Sequence, residues 1–396
     1  MGRGYDVIII GSGIIGLSSG YYLSKSGKKV LVLEKKDIGN GASGSCDDAI
    51  LLQSKKPGIV LEMALESIDM YRGLSDELGT DLEFTSPGAM ILIETEDDLR
   101  IMEDFVIEQR KCGLEVEIVG KKQVKKKQPH VSEGVIASTY SAIDAQVNPL
   151  RVMFAFANRG KELGMQIKKN AEVVSIDRNG SGDWTIGTAN GERYVAETVI
   201  NAAGPWAPFI GKMVGIEIPI KPKRGQIAVT EQVPPLGETN VWSADYIVSK
   251  LNPGKAKKRE KVLEDLGVGF SFTRTADGNC FIGSTREYVG YNKNTTFEAL
   301  QIMVSQAARF FPVMNNVSII RSFAGLRPAC QDGKPIIGEV ATLPGFFIAA
   351  GHEGDGIALA PVTGKIINNL VLGRTNSLDI EELNFDRFQR KEGGVA

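Results

Sequence analysis

Tyr5-Asp6-Val7-Ile8-Ile9-Ile10-Gly11-Ser12-Gly13-Ile14-Ile15-Gly16 sets the architecture of this chain. Its apolar run is rich in β-branched residues and stops at a glycine, the pattern of a strand buried on both faces of a parallel sheet. Residues 14–26 then carry apolar side chains at helical spacing, and Lys29 to Leu33 repeats the buried-strand pattern. The result is a βαβ unit with G-x-G-x-x-G at its first turn. In that setting Gly11 permits the tight turn, Gly13 lets backbone approach a pyrophosphate, and Gly16 allows the helix to pack closely on the strand. Glu34, at the end of the second strand, is placed to accept hydrogen bonds from ribose hydroxyls and would repel a 2′-phosphate. A dinucleotide is the expected ligand, and this motif alone does not distinguish FAD from NAD.

Beyond Gly39 to Gly44, a glycine- and serine-rich turn, residues 59–78 read as a long helix. Ala89 to Ile93, after Pro87-Gly88, reads as a strand entering a mainly antiparallel sheet. Val173 to Asp177, Asp183 to Ile186 and Val195 to Asn201 read as three further strands returning to the first domain. Gln226 to Thr230, Gly269 to Thr273 and Cys280 to Gly283 read as strands of the second domain, with a helix over Ala299 to Phe311. Phe346 to Ala350 repeats the opening geometry, a strand leading through glycines into a helix over Ala358 to Leu372. The expected fold class is α/β, α+β overall, with a Rossmann-like nucleotide domain (1–82, 149–222, 323–373) and an inserted, mainly antiparallel-sheet substrate domain (83–148, 223–322). A polar tail, 374–396, completes the division.

Composition narrows the function classes. With 396 residues, 42% hydrophobic and 24% charged, the chain can bury two cores. A net charge of -2 gives no reason to expect nucleic acid, and the basic run Lys121 to Lys127 reads as a solvated helix end. Cys46, Cys112, Cys280 and Cys330 lie far apart with no C-x-x-C pair, so neither a zinc site nor an iron–sulfur cluster is expected within the chain. The N-terminal apolar run is too short for a signal core or membrane span, and a cytoplasmic location is the expectation.

Four blocks resemble the D-amino-acid oxidase-like family of FAD amine oxidoreductases, which includes glycine oxidase and the sarcosine oxidase β subunit. They are Val7 to Glu34 with Gly41-Ala42-Ser43-Gly44, Val199 to Trp206, Phe323 to Pro328 with Asp332 to Gly338, and Gly351 to Pro361. The resemblance implies FAD. It implies cofactor contacts from Gly11, Ser12, Gly13, Ile14, Ile15, Gly16, Glu34 and Lys35, and from Gly41, Ala42, Ser43, Gly44, Ser45 and Cys46. Val173, Val174, Ala202, Ala203, Gly204 and Trp206 join them on the adenosine side. Along the flavin ring it implies Arg327, Gly351, His352, Glu353, Gly354, Asp355, Gly356 and Ile357, with the last helix dipole favouring the charge of reduced flavin.

Arg327 matches the arginine that grips a substrate carboxylate in glycine oxidase-like members, a role suited to its planar fork. Gly354 stands where glycine oxidase has a second arginine, and Phe270 where it has a substrate tyrosine, so the pattern departs from that enzyme. The segment Ser243 to Lys250 and the Gly351 to Pro361 block look instead like FAD-bearing β subunits of heteromeric dehydrogenases. Those act on D-hydroxyproline, proline, opines or glycine, and pass electrons to partner subunits carrying an iron–sulfur cluster or second flavin. The reading is oxidation of a small amino acid or amine by hydride transfer to flavin N5. Arg327, His352, Tyr246 and Lys250 are its candidate catalytic residues. An oxygen-using oxidase and a non-catalytic electron-transfer or assembly subunit are the alternatives.

Overall fold

The computed structural model describes residues 4–251 and 261–389, without the side chains of Lys250 and Leu251. Two large sheets organise it. The first runs in the order Ile336–Glu339, Phe346–Ala350, Arg193–Asn201, Tyr5–Ile10, Val30–Leu33, Gln166–Lys168. The neighbours from Phe346–Ala350 to Gln166–Lys168 are parallel, while Ile336–Glu339 is antiparallel to Phe346–Ala350. Trp184–Thr188 adds antiparallel to Arg193–Asn201 and pairs in turn with Val173–Arg178.

The opening strand explains its own composition. Val7 and Ile9 pack with helices Ile14–Lys25, Ile59–Leu78, Pro149–Glu162 and Gly356–Val371, whereas Ile8 and Ile10 face a second core with Trp184, Ile186 and Ile210. Val30 and Val32 against Leu31 and Leu33 repeat the alternation. Both faces are covered, so from Val7 to Ile10 and from Val30 to Leu33 no polar position interrupts the strand. Each such side chain contributes about 1.5–3 kcal/mol on burial.

The second sheet follows the order Ile319–Cys330, Ile220–Gln232, Asn279–Gly283, Ser271–Arg274, Asn240–Ser243, Ala89–Ile93, Ala137–Ser141, Glu117–Gly120. All its pairs are antiparallel except Asn240–Ser243 with Ala89–Ile93. One face packs Met90, Leu92, Phe270, Phe272, Phe310 and Phe311; the other packs Ile91, Ile93, Trp242 and Ile247. Phe270, the position expected near substrate, is stacked on Phe310 at 4.5 Å between ring centres, inside that core.

Three differences from the sequence reading have physical causes. Residues 220–222 and 323–330, counted above with the nucleotide domain, lie in two long paired strands of the second sheet, from Ile220 opposite Cys330 to Thr230 opposite Ile319. Pro222 and Pro328 face each other there, and a proline reads against a strand because it cannot donate to the ladder; on sheet membership we propose domain boundaries near 219 and 331. Ala244–Leu251, to which the sequence reading assigned no element, is a short helix that carries Tyr246. The 374–389 segment is packed rather than a free tail: Leu383 and Phe385 are buried, and Arg387 pairs with Asp332 at 2.7 Å. Among the described residues no helix is long and apolar enough to cross a membrane.

Candidate active site

A cavity of about 940 Å³ runs between the two sheets, at the upper end of the size range of small-molecule sites. One end is built from main chain. Gly11 has φ +108°, and a Cβ there would meet the Ala202 carbonyl oxygen at 2.6 Å, so only glycine turns the strand into the helix this close to its neighbour. Gly13 caps helix Ile14–Lys25 without a side-chain bond, and the Ile14 amide meets Ser43 Oγ at 3.1 Å. Helix amides here form an anion site suited to a pyrophosphate.

Glu34 is already engaged. Its Oε2 accepts from the Ser12 amide and Ser12 Oγ, both at 2.9 Å, and its Oε1 accepts from the Lys36 amide at 2.8 Å. It therefore holds the glycine turn in place while lining the cavity. Ser12, Gly16 and Gly44, expected as cofactor contacts, do not line the cavity. Ser12 is buried as the partner of Glu34, a Cβ on Gly16 would overlap the Gly11 carbonyl, and one on Gly44 would overlap the Gly39 carbonyl. The remaining candidates, from Gly11 through Lys35, Cys46, Val174 and Trp206 to Ile357, all line it.

The other end is built from side chains. Strand Phe346–Ala350 delivers a loop in which Glu353 has φ +48°, followed by helix Gly356–Val371 with Asp355 as N-cap. Arg327 reaches the cavity across strand Ile220–Gln232, and a Cβ on Gly225 would overlap its guanidinium. Arg327 donates to the Thr285 carbonyl and Ser284 Oγ, both at 2.9 Å. Both partners are neutral, and among the described residues it forms no ion pair.

Three charged positions that the sequence did not single out also line this end: Asp47, Lys55 and Arg286. Lys55, 2% exposed, pairs with Asp355 at 2.7 Å and donates to the Leu51 carbonyl. Arg286 pairs with Glu353 at 2.7 Å, and its guanidinium lies over the Tyr246 ring at 5.3 Å. Lys223 reaches the same Glu353 oxygen at 3.4 Å. Nothing in the sequence marks them: Lys55, for one, sits between Ser54 and Lys56.

His352 lines the cavity but is buried, with ring Nε2 3.1 Å from Thr363 Oγ1. Burial lowers its pKa to about 4, opposed by the Asp355 charge. It is neutral near pH 7 and joins the loop to the last helix. Cys46 donates to the Ser43 carbonyl at 3.3 Å, and burial, with the Asp47 and Asp48 charges, raises its pKa and keeps it a thiol. Lys250 belongs to helix Ala244–Leu251, and its side chain lies outside the described residues.

The turn, the helix N-terminus, the engaged carboxylate and the cavity volume fit a dinucleotide. The family model described as FAD dependent oxidoreductase (DAO) matches residues 6–370. The chain belongs to the DAO family. Its cofactor is FAD, and it is an oxidoreductase. Hydrogen cyanide synthase subunit HcnC of Pseudomonas aeruginosa is 28% identical, over 100% of this chain and 99% of that protein. Glycine oxidase from Geobacillus kaustophilus superposes with a TM-score of 0.86 at 26% identity, covering 97% and 98% of the two chains. L-proline dehydrogenase from P.horikoshii superposes equally, 0.86 at 25% identity and 99% coverage of each. These DAO relatives match almost end to end, so both the nucleotide and substrate regions are shared.

Proposed function

We propose that this DAO-family chain is a dehydrogenase that oxidises a small amino acid or secondary amine and hands the electrons to a partner subunit. Bound FAD would supply the two-electron acceptor, taking a hydride from the carbon that bears the amine. The observation that carries the substrate class is Arg327: a guanidinium on the cavity wall whose partners are neutral is left with its charge for a ligand carboxylate. Resemblance to proteins named glycine oxidase, proline dehydrogenase and HcnC supports the same class. The word subunit in the name of HcnC supports the partner.

Each group then has a task. The turn at Gly11–Gly16, Glu34, and residues Gly41 to Cys46 would hold the nucleotide. Val173, Val174, Ala202 to Gly204 and Trp206 would cover its adenosine side. Residues Gly351 to Ile357 would hold the ring, with the N-terminus of helix Gly356–Val371 stabilising negative charge on it. Arg327 would fix the carboxylate so that the reacting carbon is oriented, and Tyr246 would form the facing wall, held by Arg286. His352, neutral and bonded to Thr363, would keep the ring loop in position.

Anaerobic addition of a panel of amino acids and N-alkyl amino acids tests the reading. The expected result is bleaching of the flavin by at least one carboxylate-bearing amine; bleaching by none of them counts against it. Slow reoxidation in air, with an electron-accepting subunit copurifying, is expected for a dehydrogenase. Rapid reoxidation would favour the oxidase reading that the glycine oxidase likeness supports.

A further inference from the structure

Charges at the ring end of the cavity sort into committed and uncommitted groups. Lys55 is matched by Asp355, and Arg286 by Glu353. Arg327 and Asp47 remain. Asp47 lines the cavity, is partly buried, and among the described residues makes no ion pair. It accepts a hydrogen bond from the Ala49 amide and sits in the electrostatic field of Arg327 and Lys55, opposed by that of Asp355. Its loop is pressed against the strand that carries Arg327, since a Cβ on Gly325 would overlap the Ser45 carbonyl. Among the described residues, then, a cation and an anion that make no ion pair share this wall, the complement of a zwitterion.

Resting on the reading of Arg327 as the carboxylate anchor, we propose that Asp47 binds the substrate ammonium and accepts its proton. The N–H bond breaks, the proton bonds to a carboxylate oxygen of Asp47, and the electron pair stays on nitrogen. That lone pair would let a hydride leave the adjacent carbon for the flavin, closing the C=N bond of an iminium cation. An ammonium has no such pair and cannot react. Burial raises the Asp47 carboxyl above its ordinary range while Arg327 and Lys55 oppose the rise, a balance that suits a group exchanging a proton with an amine.

The test uses two inert probes of matched shape, glycine betaine and its carbon isostere 3,3-dimethylbutanoate, whose tert-butyl group lacks the cationic charge, titrated calorimetrically into the FAD-loaded protein. Wild type is expected to prefer betaine by about tenfold, a modest value for one ion contact in a partly wet site. Asp47→Asn is expected to bring the ratio near one, and Asp47→Glu to restore part of it, with flavin content unchanged. No excess affinity for betaine in the wild type, or a ratio that survives Asp47→Asn, would overturn the assignment. Arg327→Ala separates the two ideas: it should weaken both probes equally. If it alters neither, the carboxylate reading fails; if it weakens both while the betaine ratio ignores Asp47, only the ammonium role falls.

Discussion

The two ends of the cavity are made in different ways. At the nucleotide end the groups proposed to meet the cofactor are mainly backbone amides, placed by a glycine turn and a helix start that lie within six consecutive residues, Gly11 to Gly16. At the ring end charged side chains line the cavity, drawn from positions as far apart as Asp47 and Glu353, with Lys55 and Arg286 set by ion pairs to Asp355 and Glu353. The first end tolerates few changes of residue and admits one chemistry. The second can be altered one charge at a time, which suits a family whose members differ in substrate.

The largest effect should come from the first end. Gly11→Val would force a Cβ into the Ala202 carbonyl at positive φ, costing roughly 3 kcal/mol or more of local stability and flavin affinity. Protein purified without visible flavin absorbance is the expected outcome. Arg327→Ala should weaken substrate binding by about 2–4 kcal/mol while leaving flavin content unchanged, read from KM and the absorbance ratio. If flavin were lost as well, the division between the ends would fail. Gly225→Ala leaves every charge in place but displaces the Arg327 guanidinium. About tenfold in kcat/KM is expected, since small misplacements of an orienting group are felt in rate.

A smaller effect concerns stability against pH. Burial, reinforced by the Asp47 charge, raises Asp48 to about 7 from 3.8, so the native state binds the extra proton and its stabilising contribution is lost as pH rises through that window. His352 acts oppositely: its native pKa of about 4 against 6.5 means stability is lost as pH falls toward 4. Asp48→Asn should therefore steepen the rise in unfolding free energy between pH 4 and 7 relative to wild type, by roughly 3 kcal/mol across the window, read from denaturant titrations. An unchanged difference between the two proteins across that range would remove Asp48 from the balance.

The same contrast governs what could be read in advance. Strand Tyr5–Ile10, helix Ile59–Leu78 and strand Phe346–Ala350 were legible because local pattern and burial agree there. Helix Ala244–Leu251 was not, being short and next to strand-like residues. Phe385 and Leu383 were passed over in a polar stretch because their burial depends on docking against distant strands. Lys55 and Arg286 carry no sequence signal, since a buried cation differs from a surface one only by its partner, and Asp355 and Glu353 lie far along the chain, Glu353 67 positions beyond Arg286.

The helix that starts at Gly356 is fastened to the one that starts at Ile14. Ser18 Oγ donates to the Ala360 carbonyl at 2.8 Å, and a Cβ on Gly364 would overlap Ser18. Tyr71 braces the pair by donating to the Ile357 carbonyl at 2.6 Å. The two amide clusters are thereby kept at a set separation, like the jaws of a gauge. A mononucleotide such as FMN could engage only one jaw, which makes molecular length itself a criterion of cofactor choice.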